Sequence, residues 1–219
     1  MLTLNHFEAV IFDMDGVLID SEPLWKIAMS EVFSSIGSSL TKQDFQKTVG
    51  LRIDEVIHFW NNQEQWGISD ESEVEEAIIK KMESLIAENP QALPGVINTL
   101  NFLKSKKIPV GLATSSSSRL IKVVLDSLAI KPLFHFVHSA ELEKYGKPHP
   151  AVYLTVAKKL AIQPEKCLVI EDSLVGVIAA KAAKMTAVCI PEKTHVMDPR
   201  LILADFHFEN MDDFLATIQ

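Results

Sequence analysis

Four short clusters hold residues able to do chemistry together. The first is Phe12-Asp13-Met14-Asp15-Gly16-Val17-Leu18, two carboxylates one residue apart behind the apolar run Ala9–Phe12. In extended backbone, residues i and i+2 point to the same side, so Asp13 and Asp15 share a face. Gly16 allows a sharp turn directly after them. One carboxylate acting as nucleophile with a second beside it moving protons is a workable arrangement for covalent displacement. The second cluster, Thr114-Ser115-Ser116-Ser117, offers hydroxyls and open backbone N–H groups at the entrance to a helical pattern, which suits an anion such as phosphate. The third, Glu171-Asp172-Ser173, follows the apolar run 167–170; a carboxylate pair there can hold Mg²⁺, which takes hard oxygen ligands. The fourth is Tyr145-Gly146-Lys147-Pro148. Pro148 directs Lys147 toward extended backbone, and a point-like ammonium offsets crowded carboxylates and phosphate oxygens. Taken singly, each also reads as a helix cap, an Asp-Gly turn or a surface lysine. Three strand ends carrying such groups point instead to one site.

Positioning these clusters requires strands that end at a common edge. Residues 9–12, 109–113, 134–137, 167–170, 187–190 and 206–208 are short apolar runs, several rich in Val, Ile or Phe, and read as strands. Helical patterns lie between them, as in Leu120, Val124 and Leu128, or Val96, Leu100 and Leu103, and in the Ala-rich stretch 174–183. From residue 93 onward helix and strand alternate, which predicts an α/β fold: a Rossmann-like parallel sheet with helices on both faces. In open sheets of this kind ligands bind beyond the carboxyl ends of the strands, where Asp13, Thr114 and Glu171 fall. Residues 18–92 break the rhythm with helical stretches at 23–36, 53–62 and 71–89 and no strand. Ser72-Glu73-Val74-Glu75 has the pattern of a capping box. The expected organisation is a catalytic core of residues 1–17 and 93–219 with a helical cap, 18–92, spliced in after the first strand.

The chain has 219 residues, 29 acidic and 21 basic, and a formal charge of -8. The cap segment holds 14 acids and 6 bases, whereas the core segments hold 15 of each, so the excess charge belongs to the cap. That balance and the lack of a basic stripe argue against a nucleic-acid partner. The longest stretch without Asp, Glu, Lys or Arg, 89–103, contains Pro90 and Pro94 and is too short to span a bilayer. No basic segment precedes the first apolar run, as a signal peptide would require. Cys167 and Cys189 both sit in apolar runs and read as reduced, buried thiols, consistent with a cytoplasmic protein.

As a set, Asp13-Met14-Asp15-Gly16-Val17-Leu18-Ile19-Asp20-Ser21-Glu22, Leu112-Ala113-Thr114-Ser115-Ser116, Lys147-Pro148-His149-Pro150 and Glu171-Asp172-Ser173 resemble the motifs of the haloacid dehalogenase superfamily. The likeness covers nearly the whole chain and is to the phosphatase and phosphomutase branch with a helical cap. Within it the chain is similar to sugar phosphatases of the 2-deoxyglucose-6-phosphatase and hexitol phosphatase type, with beta-phosphoglucomutase a near relative. The resemblance implies that Asp13 attacks phosphorus to form an aspartyl-phosphate, and that Asp15 serves as general acid and then general base. It implies that Thr114 and the Ser115 N–H hold phosphoryl oxygens while Lys147 bridges phosphate and nucleophile. Mg²⁺ would be bound by Asp13, the main-chain carbonyl of Asp15 and Asp172, with Glu171 ligating or supporting. Dehalogenases of the superfamily lack the second aspartate, so Asp15 favours phosphate over halide.

The same resemblance gives leaving-group recognition to the cap. Arg52, in Val49-Gly50-Leu51-Arg52, is similar to the mutase arginine that reaches the distal end of a phosphosugar, although the mutase has an extra Ser before it. Among Trp25, Trp60 and Trp66, Trp25 is the candidate sugar contact. The expectation is therefore a phosphatase acting on a small phosphorylated sugar, with no nucleic-acid, membrane or protein partner implied. A phosphomutase and a non-catalytic phosphosugar-binding module are the alternatives.

Overall fold

A computed structural model describes residues 2–41, 43–191 and 198–219. The apolar runs form six strands: β1 (Ala9–Phe12), β2 (Val110–Thr114), β3 (Phe136–Ser139), β4 (Cys167–Glu171), β5 (Thr186–Cys189) and β6 (Phe206–His207). All pair in parallel, in the order β3-β2-β1-β4-β5-β6. β1 is central, and its register sets Phe12 opposite Leu112 on one side and Ile170 on the other. The chain that follows each of these strands therefore emerges at the same sheet edge.

Side-chain alternation along the strands fills two cores. Val10, Phe12, Leu112, Leu168 and Ile170 face one way, toward α4 (Val96–Ser105), α5 (Ser118–Ser127) and α8 (Met211–Ile218). Ala9, Ile11, Ala113, Cys167, Val169 and Cys189 face the other, toward α6 (Ala151–Leu160) and α7 (Leu174–Ala182). Both thiols are buried and unbridged, and burial pushes each up to about 12, so neither is a ready nucleophile. Three helices, α1 (Glu22–Ser35), α2 (Ile53–Glu64) and α3 (Ser72–Glu88), occupy the segment between β1 and α4. The chain leaves for this insert and returns from it side by side: Ile19 bridges Ala92, and Leu93 N–H donates to the Leu18 carbonyl at 2.9 Å. The insert's buried side chains, among them Phe33, Ile57 and Met82, run on into the first core. No helix among the described residues is long and apolar enough to cross a membrane.

Three local expectations shift. The strand expected at 134–137 starts later, because Lys131–Leu133 closes a 3-10 turn and the His135 ring takes the Val110 N–H at 3.0 Å. Helices α6 and α8 form where no periodic pattern had been singled out. The capping box at Ser72 does not form. Ser72 is already inside α3, and its hydroxyl and N–H donate to Asp70 Oδ1 at 2.6 and 3.0 Å, so Asp70 takes over the local capping role.

Candidate active site

The ends of β1, β2 and β4 bring Asp13, Thr114 and Glu171 together, and the loop before α6 delivers Lys147 into their midst. Lys147 is 2 % exposed. Its Nζ donates to Asp13 Oδ1 at 2.9 Å, Glu171 Oε1 at 2.6 Å and the Ala113 carbonyl at 3.2 Å. The face of the Tyr153 ring lies under it, 4.9 Å from the centroid. Burial disfavours the ammonium, but the Asp13 and Glu171 charges outweigh it and hold the Lys147 pKa above the ordinary lysine value. The lysine is therefore a fixed positive charge at neutral pH.

The acids divide by environment. Glu171 is fully buried. Its Oε1 accepts from Lys147 and from the Tyr153 hydroxyl, and its Oε2 from the Asp172 and Ser173 N–H groups and the Ser173 hydroxyl. Burial alone would raise its pKa; Lys147 and these donors lower it below the usual carboxylate value. Asp13 has less support, and burial pushes it up to about 7 against the opposing pull of Lys147. Asp172 is raised well above the ordinary value, by burial first and then by the Glu171 and Asp13 charges. Gly16 sits at φ 69°, and a Cβ there would come within 2.1 Å of Asp172 Oδ2, so only glycine lets the β1 loop approach this carboxylate.

Asp13, Glu171 and Asp172 present oxygens within 4.8 Å of one another, a spacing able to hold a cation. A hard-oxygen donor set with two carboxyls pushed toward protonation and a single ammonium to offset it fits a divalent ion. Both Glu171 oxygens accept hydrogen bonds, and Lys147 is shared between Glu171 and Asp13.

Asp15 is held separately. Its Oδ1 accepts from the Ser21 hydroxyl at 2.5 Å and the Trp25 indole N–H at 3.0 Å; its Oδ2 accepts from the Ser116 hydroxyl at 2.7 Å and the Thr114 hydroxyl at 3.4 Å. Hydroxyls rotate between donating and accepting, so this cradle accommodates both the carboxylate and the carboxylic acid. Ser115 turns its hydroxyl to the Gly50 carbonyl of the insert at 2.8 Å.

These groups line one pocket under the insert. Asp13, Asp15, Thr114, Ser115, Lys147 and Asp172 form its floor, and Trp25, Met29, Phe45, Leu51, Ile53 and Val56 form most of its roof. Arg52 does not join it. Its guanidinium donates instead to the carbonyls of Ala140 and Glu143. Ser21, Ser116 and Tyr153 were missed in sequence. The first two lie inside the quoted motifs, but nothing marks which hydroxyl meets Asp15. Tyr153 looks like an ordinary apolar position of a buried helix.

Residues 7–184 match the family described as haloacid dehalogenase-like hydrolase. The chain belongs to this family. Among the relatives of this haloacid dehalogenase-like hydrolase is hexitol phosphatase B of Escherichia coli K12, 39% identical over 217 residues, covering 99% of this chain and 98% of the other. The phosphorylated carbohydrates phosphatase of Thermotoga maritima is 39% identical over 181 residues, covering 80% of this chain and 81% of its own. Among solved structures, beta-phosphoglucomutase from Clostridium difficile superimposes with a TM-score of 0.83 at 28% identity, covering 94% of this chain and 92% of that one.

Proposed function

We propose that this hydrolase is a Mg²⁺-dependent phosphatase of small sugar phosphates, hexose or hexitol monophosphates among them, working through an aspartyl-phosphate. The observation that carries this reading is the buried Lys147–Asp13 contact at 2.9 Å beside a separately cradled Asp15. Asp13 is the nucleophile: one carboxylate oxygen bonds to phosphorus as the bond to the sugar oxygen breaks, and Asp15 gives that oxygen a proton. Asp15, now a carboxylate, takes a proton from water as the water displaces Asp13 from phosphorus and inorganic phosphate leaves. Thr114, the Ser115 N–H and Lys147 hold the phosphoryl oxygens. Asp13, Asp172 and the Asp15 carbonyl would hold Mg²⁺, with Glu171 ligating or supporting, and the ion would supply the charge neutralisation that phosphoryl transfer needs. Residues 18–92 act as the cap over this site, and relatives named as phosphatases of hexitols and carbohydrates support the substrate class.

Hydrolysis is favoured over mutation of phosphate position by the pocket's charge. Lys147 is the sole basic side chain among the described residues lining it, and Glu22 is part of its wall. A mutase must also hold a second phosphate, which needs cationic or N–H donors at the far end of the pocket. Phosphate release from hexitol and hexose phosphates with Mg²⁺, abolished by Asp13→Asn, is the expected result. Full activity in that variant removes the mechanism. With glucose 1-phosphate, free sugar in the product spectrum supports the phosphatase and a relocated phosphate the mutase.

A further inference from the structure

Arg52 precedes α2 and reaches across to the core. Its Nη1 donates to the Ala140 and Glu143 carbonyls at 3.1 and 3.0 Å, and its Nη2 to Asp54 Oδ2 at 2.9 Å. Its own N–H donates to Glu55 Oε2 at 3.2 Å. The other oxygen of Glu55 accepts the Gly146 N–H at 3.3 Å. Two neighbouring insert residues thus grip both ends of residues 140–146, and the next residue is Lys147. The fit at Gly146 is close: a Cβ there would lie 2.6 and 2.9 Å from the Glu55 carboxylate oxygens and 3.1 Å from Arg52 Cγ. The Arg52 side chain is only 13% exposed.

We propose that Arg52 and Glu55 form a clasp through which docking of the insert seats Lys147 in the active site. They are positioning residues, and their effect on turnover rests on the phosphatase reading of Lys147. The planar guanidinium reaches two core carbonyls through Nη1 and Asp54 through Nη2, a spread of donors over two nitrogens that the single nitrogen of a lysine does not reproduce. At its other end the segment places one buried ammonium against three acceptors, where a displacement of about 1 Å is enough to degrade catalysis on the order of 100-fold. Closing the insert and completing the charge around Asp13 are then one event.

The test uses Arg52→Ala, Arg52→Lys and Gly146→Ala, the last leaving both clasp side chains in place while wedging them apart. Each is assayed on a hexitol phosphate and on p-nitrophenyl phosphate, esters whose leaving groups share no hydroxyls. The ¹⁵Nζ resonance of Lys147 is recorded alongside, and thermal melts confirm folding. The expected result is a fall in kcat of about tenfold or more on both esters alike, with smaller KM changes, and a shifted or broadened Lys147 resonance. A loss confined to the hexitol phosphate makes Arg52 a substrate contact and overturns the clasp. An unmoved Lys147 resonance in Gly146→Ala also overturns it. Absence of phosphate release from the wild type would count against the phosphatase reading alone, because the resonance still decides the clasp.

Discussion

The indole N–H of Trp25, on the first helix of the insert, donates to Asp15 Oδ1 in the loop after β1 at 3.0 Å. The aromatic residue expected to stack on a sugar is hydrogen-bonded to the candidate acid/base, and the insert contributes a second donor to the same oxygen through Ser21. Trp25→Phe keeps a ring and removes this N–H. Hydrogen bonds to charged groups contribute about 1.5–3 kcal/mol, so kcat should fall roughly 10- to 100-fold with a smaller change in KM. Steady-state kinetics on a hexitol phosphate check this. A rise in KM with kcat intact would mean that the ring's contact with the sugar matters and the N–H does not.

Lys147 neutralises two buried acids at once. Removing one partner of a buried ion pair costs about 3–5 kcal/mol, because the remaining charge stays buried. Lys147→Met should lose activity and unfold at distinctly lower urea concentration in metal-free buffer. Unchanged stability would show that Asp13 and Glu171 shed their charge by taking up protons instead.

Tyr153 donates to Glu171 Oε1 from beneath the lysine. Tyr153→Phe retains the ring under Lys147 and deletes this donor. A loss of about 1–3 kcal/mol in unfolding free energy is expected from the bond to a charged acceptor, with the fold retained. Denaturant titration measures it; a neutral effect would show that the remaining donors to Glu171 suffice.

Burial pushes Asp13 in the folded protein up to about 7, against 3.8 unperturbed. Between those values the folded, metal-free protein keeps a proton that the unfolded chain has lost. Stability from this group therefore falls as pH rises through that window and levels off above it. A divalent cation needs the ionised carboxylates and competes with the proton. Added Mg²⁺ should accordingly raise Tm more at about pH 8 than at about pH 5.5, measurable by calorimetry. Equal shifts at both values would place the ion elsewhere.

Much of the fold and the site floor was legible in the chain. Apolar runs such as Ala9–Phe12 and Cys167–Ile170 announced buried parallel strands, because strands covered on both faces have no polar side to show. Polar residues directly after such strands could lie only at the sheet's carboxyl edge, which marked Asp13, Thr114 and Glu171 in advance. Less legible were β3, an edge strand only partly buried, and α6, whose patterning resembles any apolar helix. Ser72 shows how a local motif fails: the capping pattern was present, but Asp70 stood nearer the open N–H group.

By itself the sequence determined which residue types reach one edge of the sheet, since that depends on local periodicity and chain order. Tertiary structure alone decided how those groups divide the work. Glu171 holds Lys147 because Tyr153 and the Ser173 turn occupy its oxygens, and Arg52 grips residues 140–146 because the docked insert puts two core carbonyls within its reach. The Arg52 contacts join residues 88 and 91 positions apart in the chain, and Tyr153 and Lys147 meet Glu171 from 18 and 24 positions away, contacts set by packing that no local pattern encodes.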